Sequence, residues 1–183
     1  MCLIFIVVKF NEGGTDMRDS IEINGKKWNV LGKRDGGVFC IADKPYRMNE
    51  TLDDSNDWRK SSLRKWLNTE IYDEIIAVIG KENIISFKRD LISLDGQIEY
   101  GTCEDEVSIL SVDEYRYYRR KLPNTISYYW WTLTPWSTKC NNYNTSMAII
   151  VPNGGIDTYN CYGNNAVRPV CIFAEDLFKE EEN

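Results

Sequence analysis

Two hydrophobic stretches late in the chain decide its fold class: YYWWTLTPW at residues 128–136 and AVRPVCIF at residues 166–173. Both consist largely of the aromatic and β-branched residues that are enriched in strands. The segment between them is rich in Asn, Tyr, Ser, Thr and Gly and has almost no charge. Buried strands that enclose a polar, aromatic-bearing segment favour a binding surface held on a rigid frame.

Length and composition indicate a single globular domain. The chain has 183 residues, and its hydrophobic and charged fractions are near globular averages. A net charge of −6 and a pI of about 4.8 disfavour binding of nucleic acid across the whole surface. Two basic clusters remain, which we interpret as solvated helix faces: Arg59, Lys60, Arg64 and Lys65, and Arg116, Arg119, Arg120 and Lys121.

The residue types needed for metal and acid–base chemistry are scarce. His is absent, and none of the six Cys residues forms a C-x-x-C pair, so zinc-ribbon and thioredoxin-type sites are not supported. Residues 90–106 are acidic, but their spacing does not match the twelve-residue calcium loop, and we interpret them as a long solvated loop. The sequence therefore predicts a non-enzymatic protein with no metal and no cofactor.

The two ends of the chain are predicted to lie outside the domain. The apolar run at residues 3–8 lacks a basic leading region and a cleavage site and is too short to span a membrane. We interpret residues 1–16 as an N-terminal extension or first strand, residues 17–174 as the domain, and residues 175–183 as a frayed acidic tail. Without an export signal, the expected location is the host cytoplasm or a virion, with reduced cysteines and no membrane association.

Hydrophobic periodicity predicts an α+β fold. Strand patterns cover residues 21–31 and 37–42, and helical spacing covers residues 58–67 and 71–79. A capping box in which Ser111 and Glu114 bond reciprocally predicts a helix over residues 112–121. Four strand candidates follow, at residues 130–134, 146–151, 156–159 and 167–173. We expect helices in the first two-thirds and an antiparallel sheet built mainly from the C-terminal third.

The large apolar residues of these elements are the predicted core. Trp58 and Trp66 lie on the apolar side of the first helix, and Trp130, Trp131 and Val167 lie in strands. We expect all five to be buried and structural, because burial of such side chains removes a large apolar area from water.

Several motifs together carry a resemblance to known proteins. They are DWRKSSLRKWLN at residues 57–68, ILSVDEY at 109–115, WWTLTPW at 130–136, NGG at 153–155 and VRPV at 167–170. In this order they resemble a largely uncharacterised family of bacterial, prophage and phage proteins with a W-x-x-S-x-L-R-x-W-L-N helix, a double-Trp strand and a closing V-R-P strand. That family is similar in turn to the C-type-lectin-like fold of formylglycine-generating enzymes and retroelement variable proteins.

The resemblance implies a single C-type-lectin-like domain whose ligand-binding face lies between the double-Trp and V-R-P strands, with Arg168 fixed beside Pro169. The candidate ligand-binding residues are Trp136, Asn141, Asn142, Tyr143, Asn144, Tyr159, Asn160, Tyr162, Asn164 and Asn165. Their composition fits either a diversified surface or an ordinary polar one. The chain departs from calcium-dependent lectins, since only Pro152-Asn153 of their Glu-Pro-Asn motif is present, and no cysteine pair is identified.

Three functions remain open from the sequence. The first is a non-enzymatic phage or prophage recognition module that binds a protein or surface ligand of the host through this Asn/Tyr-rich face. The second is a small intracellular phage protein that inhibits a host protein such as a defence nuclease, with the acidic loop meeting a basic partner. The third and least favoured is a cysteine-based enzyme. The sequence leaves the ligand and the oligomeric state open.

Overall fold

A computed structural model describes residues 17–123 and 126–179. The fold is mixed α and β, with strands predominant. The predicted N-terminal extension and the last four residues lie outside the described ranges. The strands are β1 Ser20–Ile23, β2 Lys26–Arg34, β3 Gly37–Ala42, β4 Arg47–Glu50, β5 Ile84–Ile85, β6 Phe87–Asp90, β7 Thr102–Asp105, β8 Val107–Ile109, β9 Trp130–Pro135, β10 Ser146–Ile150, β11 Ile156–Asn160, β12 Asn165–Val167 and β13 Pro169–Phe173.

These strands form two principal sheets and one hairpin. The larger sheet has the order β1-β2-β3-β13-β5, and β8 also pairs with β13. The second has the order β11-β10-β9-β12-β4, and β6 pairs with β7 separately. Strands β12 and β9 are parallel, whereas the other described pairs are antiparallel. The prediction that the sheet comes mainly from the C-terminal third is wrong, because β1, β2 and β3 supply half of the larger sheet.

The helical residues form one long run and one short helix. The run comprises a 3-10 turn at Trp58–Lys60, α1 at Ser62–Trp66, a π-helical segment at Leu67–Ile71 and α2 at Tyr72–Ile79. The short helix is α3, at Val112–Tyr117. Ser61 caps α1, and Ser111 and Glu114 form the predicted capping box of α3. The two helices predicted before residue 80 are therefore continuous, and the helix predicted over residues 112–121 ends early in a 3-10 turn at Arg119–Lys121.

The core lies on both faces of the central strands. Alternate residues of β3 and β13 enter two separate hydrophobic clusters, so these strands are buried on both sides. The first cluster contains Trp131 and the apolar face of α1 and α2, whereas the second contains Trp130 and Tyr115 of α3. The predicted burial of Trp58, Trp130, Trp131 and Val167 is confirmed, since each is at most 1% exposed. Trp66 is only partly buried, with Arg47 over its ring.

The chain passes from one sheet to the other at Arg168. This residue lies between β12 and β13 and is 1% exposed. Its guanidinium donates two hydrogen bonds to the Ala42 carbonyl (3.0 and 3.2 Å) and lies over the Trp130 ring at 4.9 Å. Burial lowers the pKa of Arg168. The arginine therefore joins the sheets, in agreement with its expected fixed position beside Pro169.

Two predictions about irregular segments need correction. Residues 90–106 are a solvated loop only in part: residues 91–101 form a largely exposed connection with a turn at Asp95-Gly96, but the strands β6 and β7 at its ends pair as a hairpin. The tail expected to fray after residue 174 continues as a 3-10 turn at Glu175–Phe178. Phe178 is fully buried, and Lys179 forms a bridge with Met17, so apolar burial holds the described part of this tail.

Candidate functional site

The loop at residues 136–145 joins β9 to β10 and carries five of the ten candidate residues. Its backbone is compact: the Trp136 backbone N–H donates to the Ser146 carbonyl (3.0 Å), and the Tyr143 backbone N–H donates to the Thr138 carbonyl (3.1 Å). Asn142 adopts a left-handed conformation with φ of 54°, which Asn tolerates better than most residues. These bonds give the loop a fixed backbone despite its polar sequence.

A buried asparagine from another part of the chain anchors this loop. Asn56 is fully buried, and its Nδ2 donates to the carbonyls of Ser137 (2.9 Å) and Ser146 (2.8 Å). Its Oδ1 accepts a hydrogen bond from the Tyr100 hydroxyl (2.7 Å), and its backbone N–H donates to the Asn144 carbonyl (2.8 Å). Because every one of these groups is paired, Asn56 is a structural anchor.

The tip of the β6–β7 hairpin, residues 92–99, lies against the same loop. The Leu94 N–H donates to the Pro135 carbonyl (2.8 Å). Asp95 accepts hydrogen bonds from the Ser137 hydroxyl (2.6 Å) and the Asn141 amide (3.2 Å), and Glu99 accepts one from the Cys140 N–H (2.8 Å). Hydrogen bonds from Ser137 and Ser93 lower the pKa of Asp95, and those from Cys140 lower the pKa of Glu99.

The tip and the loop therefore form one surface, which we call the tip–loop surface (residues 92–99 and 136–145). Its larger side chains are open to solvent: Ile92 38%, Leu94 42%, Ile98 76%, Trp136 37% and Tyr143 51%. The sequence indicates the acidic loop and the Asn/Tyr-rich segment as two alternative binding sites. In the structure the two segments contact each other through hydrogen bonds. The Asp-Gly turn flanked by apolar residues could have indicated the hairpin, but no local signal indicated what it packs against.

A second group of candidates lies on β11 and the turn that follows it. The Cys161 N–H donates to the Thr145 carbonyl (2.8 Å), so this turn adjoins the loop. Tyr159 and Tyr162 are 49% and 58% exposed. Tyr159 and Asn160 point to opposite faces of the strand, since neighbouring residues alternate. The candidate residues therefore do not all share one face.

The edge of β11 is protected against pairing with another strand. This strand is at the end of its sheet. In the middle of β11, the Asp157 side chain accepts a hydrogen bond from the Thr158 N–H (2.7 Å). At its end, the Asn160 carbonyl accepts a hydrogen bond from the Gly163 N–H (2.8 Å). Such local bonds occupy groups that would otherwise be free to pair with a partner strand. The tip–loop surface is the better candidate for contact with a partner.

Asn165 does not belong to any exposed surface. It is 4% exposed and pairs with Glu50 between β12 and β4. Its inclusion among the candidate ligand-binding residues is wrong, because strand pairing places its side chain inside the fold. The remaining Asn candidates are exposed or half-buried: Asn141, Asn142, Asn144, Asn160 and Asn164.

Asp105, predicted as part of a solvated acidic loop, is instead fully buried. It accepts hydrogen bonds from Trp58 Nε1 (2.9 Å), Arg64 Nε (2.6 Å) and the Ser108 hydroxyl (2.9 Å). It therefore joins the long helical run to the hairpin. An interaction of this carboxylate with a basic partner is ruled out by its burial and by its internal ion pair with Arg64.

The described cysteines lie in settings that disfavour the reactive thiolate. Burial raises the pKa of Cys103 and of Cys161, each to about 11, and raises those of Cys40 and Cys171 as well. The hydrogen bond with Glu99 raises the pKa of exposed Cys140. All five are free thiols. A cysteine nucleophile would need the opposite shift.

The described residues lack two features, a cluster of metal ligands and a membrane-spanning helix. Within residues 17–123 and 126–179, no three Cys, Asp or Glu side chains gather as metal ligands would. In those ranges, none of the helices has the length and apolar character needed to cross a bilayer. The absence of a required metal stays a prediction.

Comparison with known proteins adds no relative. No protein-family model, curated protein or solved structure matches this chain. The resemblance drawn from the sequence motifs therefore stays a prediction.

Proposed function

We propose that this chain is a non-enzymatic recognition module that binds a protein through the tip–loop surface. One observation carries the proposal: large side chains that are more than one-third exposed are mounted on a backbone fixed by buried hydrogen bonds. Exposed aromatic and apolar groups in a polar surround are typical of protein interfaces. A rigid backbone lowers the conformational entropy lost on binding.

The mixture of residues on this surface suits a protein ligand. Trp136 and Tyr143 offer large contact areas with few rotatable bonds, and Asn141, Asn142 and Asn144 offer adaptable hydrogen bonds. Leu94 and Ile98, which are not among the ligand-binding residues predicted from the sequence, add exposed apolar groups. The raised pKa values of the described thiols also favour binding over cysteine-based catalysis.

The finer fold and the origin are part of the same proposal. We infer from the motif resemblance that the domain is C-type-lectin-like and that the protein comes from a phage or prophage, with a host protein or surface ligand as its partner. A phage protein that inhibits a host protein is included in this proposal, because inhibition would also require binding of that host protein. Electrostatic capture by the acidic segment is not favoured, because Asp95 and Glu99 bond to the loop and Asp105 is buried.

A capture experiment with matched variants tests the surface. Wild-type protein, Trp136→Ala, Tyr143→Ala and Tyr129→Ala would be immobilised and exposed to a lysate of the bacterium that carries the gene. Tyr129 and Tyr143 are both 51% exposed, but Tyr129 precedes β9 and lies about 20 Å from the loop at the strand's other end. Proteins retained by wild type would be quantified by mass spectrometry, purified and titrated.

The proposal predicts a partner that is retained by Tyr129→Ala and lost from the two tip–loop variants. Truncation of a central aromatic residue commonly costs about 2 kcal/mol, so the dissociation constant should rise about thirtyfold. Equal affinity for all four proteins, or equal weakening by Tyr129→Ala, would remove the tip–loop surface as the site. Thermal melting of each variant separates lost binding from lost folding.

A further inference from the structure

A basic groove lies on a different part of the molecule from the tip–loop surface. It has a volume of about 410 Å³ and lies between the end of β2 and the segment that follows α3. Its lining includes Leu31, Gly32, Tyr117 and Tyr118, together with three cationic residues, Lys33, Arg120 and Lys121. No Asp or Glu is among the lining residues, although the whole chain has a net charge of −6.

The cationic groups of this groove are accessible. Lys33, Arg120 and Lys121 are all exposed. Of the three, only Lys33 has a carboxylate partner among the described residues: Glu175, at 2.9 Å. Both members of that pair are well exposed, so it contributes little stability and can give way to another anion. The groove therefore offers local positive charge to a ligand.

An exposed tyrosine stands beside these charges. Tyr117 is 81% exposed, more than any other large hydrophobic side chain in the described ranges. Its ring meets the Tyr118 ring edge-on, with centroids 4.8 Å apart and an interplanar angle of 86°. Tyr118 in turn packs against Phe39 and passes close to Gly32, where an added Cβ would lie 3.5 Å from its ring. Tyr117 is thus an aromatic platform supported by a packed neighbour.

The segment that carries the other two cations has a fixed backbone. The Lys121 N–H donates to the Tyr118 carbonyl (2.8 Å), and Arg119 Nη1 donates to the Pro123 carbonyl (3.0 Å). Arg119 also lies over the Tyr115 ring, and Leu122 is buried in the second core cluster. Arg120 and Lys121 therefore project from a fixed turn close to Tyr117.

We propose that this groove binds a short segment of single-stranded nucleic acid, with a base stacked on Tyr117 and phosphates at Lys33, Arg120 and Lys121. A positively charged groove with an exposed aromatic residue is the arrangement by which proteins hold single strands without reading their sequence. The negative charge of the whole chain argued against nucleic acid, but charges more than about 10 Å away are screened at moderate salt. Local charge then determines what the groove attracts.

The direct test is fluorescence anisotropy with a labelled oligothymidine of about ten nucleotides. Three phosphate contacts predict that log K falls with log salt concentration with a slope of about −2 for a single strand. Arg120→Gln combined with Lys121→Gln should reduce the slope to about −0.7, because one cation of the three remains. Tyr117→Ala should weaken binding about fivefold or more through the lost stacking, with the salt slope unchanged.

Two control variants test whether the oligonucleotide binds in the groove. Lys65→Gln combined with Lys81→Gln removes two exposed charges elsewhere, and Tyr162→Ala removes an exposed tyrosine near the tip–loop surface. Both should bind the oligonucleotide like wild type. Absence of binding at 50 mM salt, or equal weakening by the controls, overturns the proposal. Equal competition by a polyglutamate of similar length also overturns it, because an acidic peptide would then be the ligand.

Discussion

The larger sheet and the tip–loop surface are both ordered, but different forces order them. Strands β3 and β13 present apolar side chains on both faces, and their residues are buried in two hydrophobic clusters. The tip–loop surface instead depends on hydrogen bonds that Asn56 donates and that Asp95 and Glu99 accept, each with a partner more than 40 residues away in sequence. The first region is stabilised mainly by burial, and the second is positioned by a small number of polar contacts.

The difference predicts how each region responds to mutation. Loss of a core side chain should weaken the whole fold, because the clusters extend through both sheets. Loss of a polar contact at the tip–loop junction should release the loop while the sheets stay intact.

Truncation of a core tryptophan should have the largest effect. Trp131 is fully buried and its Nε1 donates to the Glu50 carbonyl (2.7 Å). Trp131→Ala should lower the free energy of unfolding by roughly 3–5 kcal/mol. Urea denaturation measures this, with Tyr162→Ala as a surface control expected to change it by less than about 0.5 kcal/mol. An unchanged midpoint for Trp131→Ala would refute the assignment of this residue to the core.

A buried ion cluster should make the sheet region sensitive to acid. Burial alone would raise the pKa of Glu114, but Arg89, the Ser111 N–H and Arg34 outweigh it and lower that pKa to about 2. The ordinary value is 4.5, so the stability that Glu114 contributes is complete above pH 4.5 and is lost as the pH falls toward 2. The amount is about 3 kcal/mol.

This acid sensitivity can be measured on one variant. Glu114→Gln should be about 3 kcal/mol less stable than wild type at pH 7, because it leaves Arg89, which is 2% exposed, without its counter-charge. The gap should close as the pH approaches 2, since protonation also neutralises Glu114 in the wild type. Parallel stability curves across this range would contradict the assigned role of Glu114.

Removal of the loop anchor should have an intermediate effect. Asn56→Ala leaves the Tyr100 hydroxyl and the carbonyls of Ser137 and Ser146 without these partners in a buried site. The expected loss is about 2–3 kcal/mol, with the loop released before the sheets unfold. Comparison of amide exchange in β3 and in residues 137–145 would reveal this order. If both regions exchanged together, the loop and the sheet would be one cooperative unit.

A smaller effect is expected beside β11. A Cβ at Gly163 would lie 2.1 Å from a ring carbon of Tyr159, so Gly163→Ala should displace that ring. Because the ring is half exposed, the cost in stability should be below about 1 kcal/mol. The ring-proton NMR shifts of Tyr159 test the displacement of the ring, and the melting temperature tests the small cost in stability. Unchanged Tyr159 shifts would place its ring away from Gly163.

Local sequence signals predicted much of the larger sheet. The strand predicted over residues 37–42 is β3, whereas the strand predicted over residues 21–31 is two strands, β1 and β2, separated by a turn at Asn24-Gly25. Asn24-Gly25 and Asp35-Gly36 both lie at turns with positive φ. The capping box of α3 was also predictable from the sequence, because its two residues are three positions apart. These features depend on near neighbours, and a sequence contains that information directly.

The tip–loop surface could not be predicted in the same way. The contacts of Asp95 with Ser137 and of Asn56 with Ser146 join residues 42 and 90 positions apart. Nothing in the local pattern of an acidic segment distinguishes a solvated carboxylate from one that bonds to a distant loop. Asp105 illustrates this most clearly, since the acidic residues around it suggested exposure and the fold buries it completely.

If the hairpin-tip carboxylates hold the loop in place, loss of Asp95 should release the loop, and hydrogen exchange of Asp95→Ala measures this. The matched control is Glu104→Ala, an exposed carboxylate on the same hairpin. Amides of residues 140–143 should exchange at least about tenfold faster in Asp95→Ala than in wild type, whereas the amides of β3 should exchange at the wild-type rate. In Glu104→Ala, residues 140–143 should also exchange at the wild-type rate. Unchanged exchange at residues 140–143 in Asp95→Ala would contradict the claim.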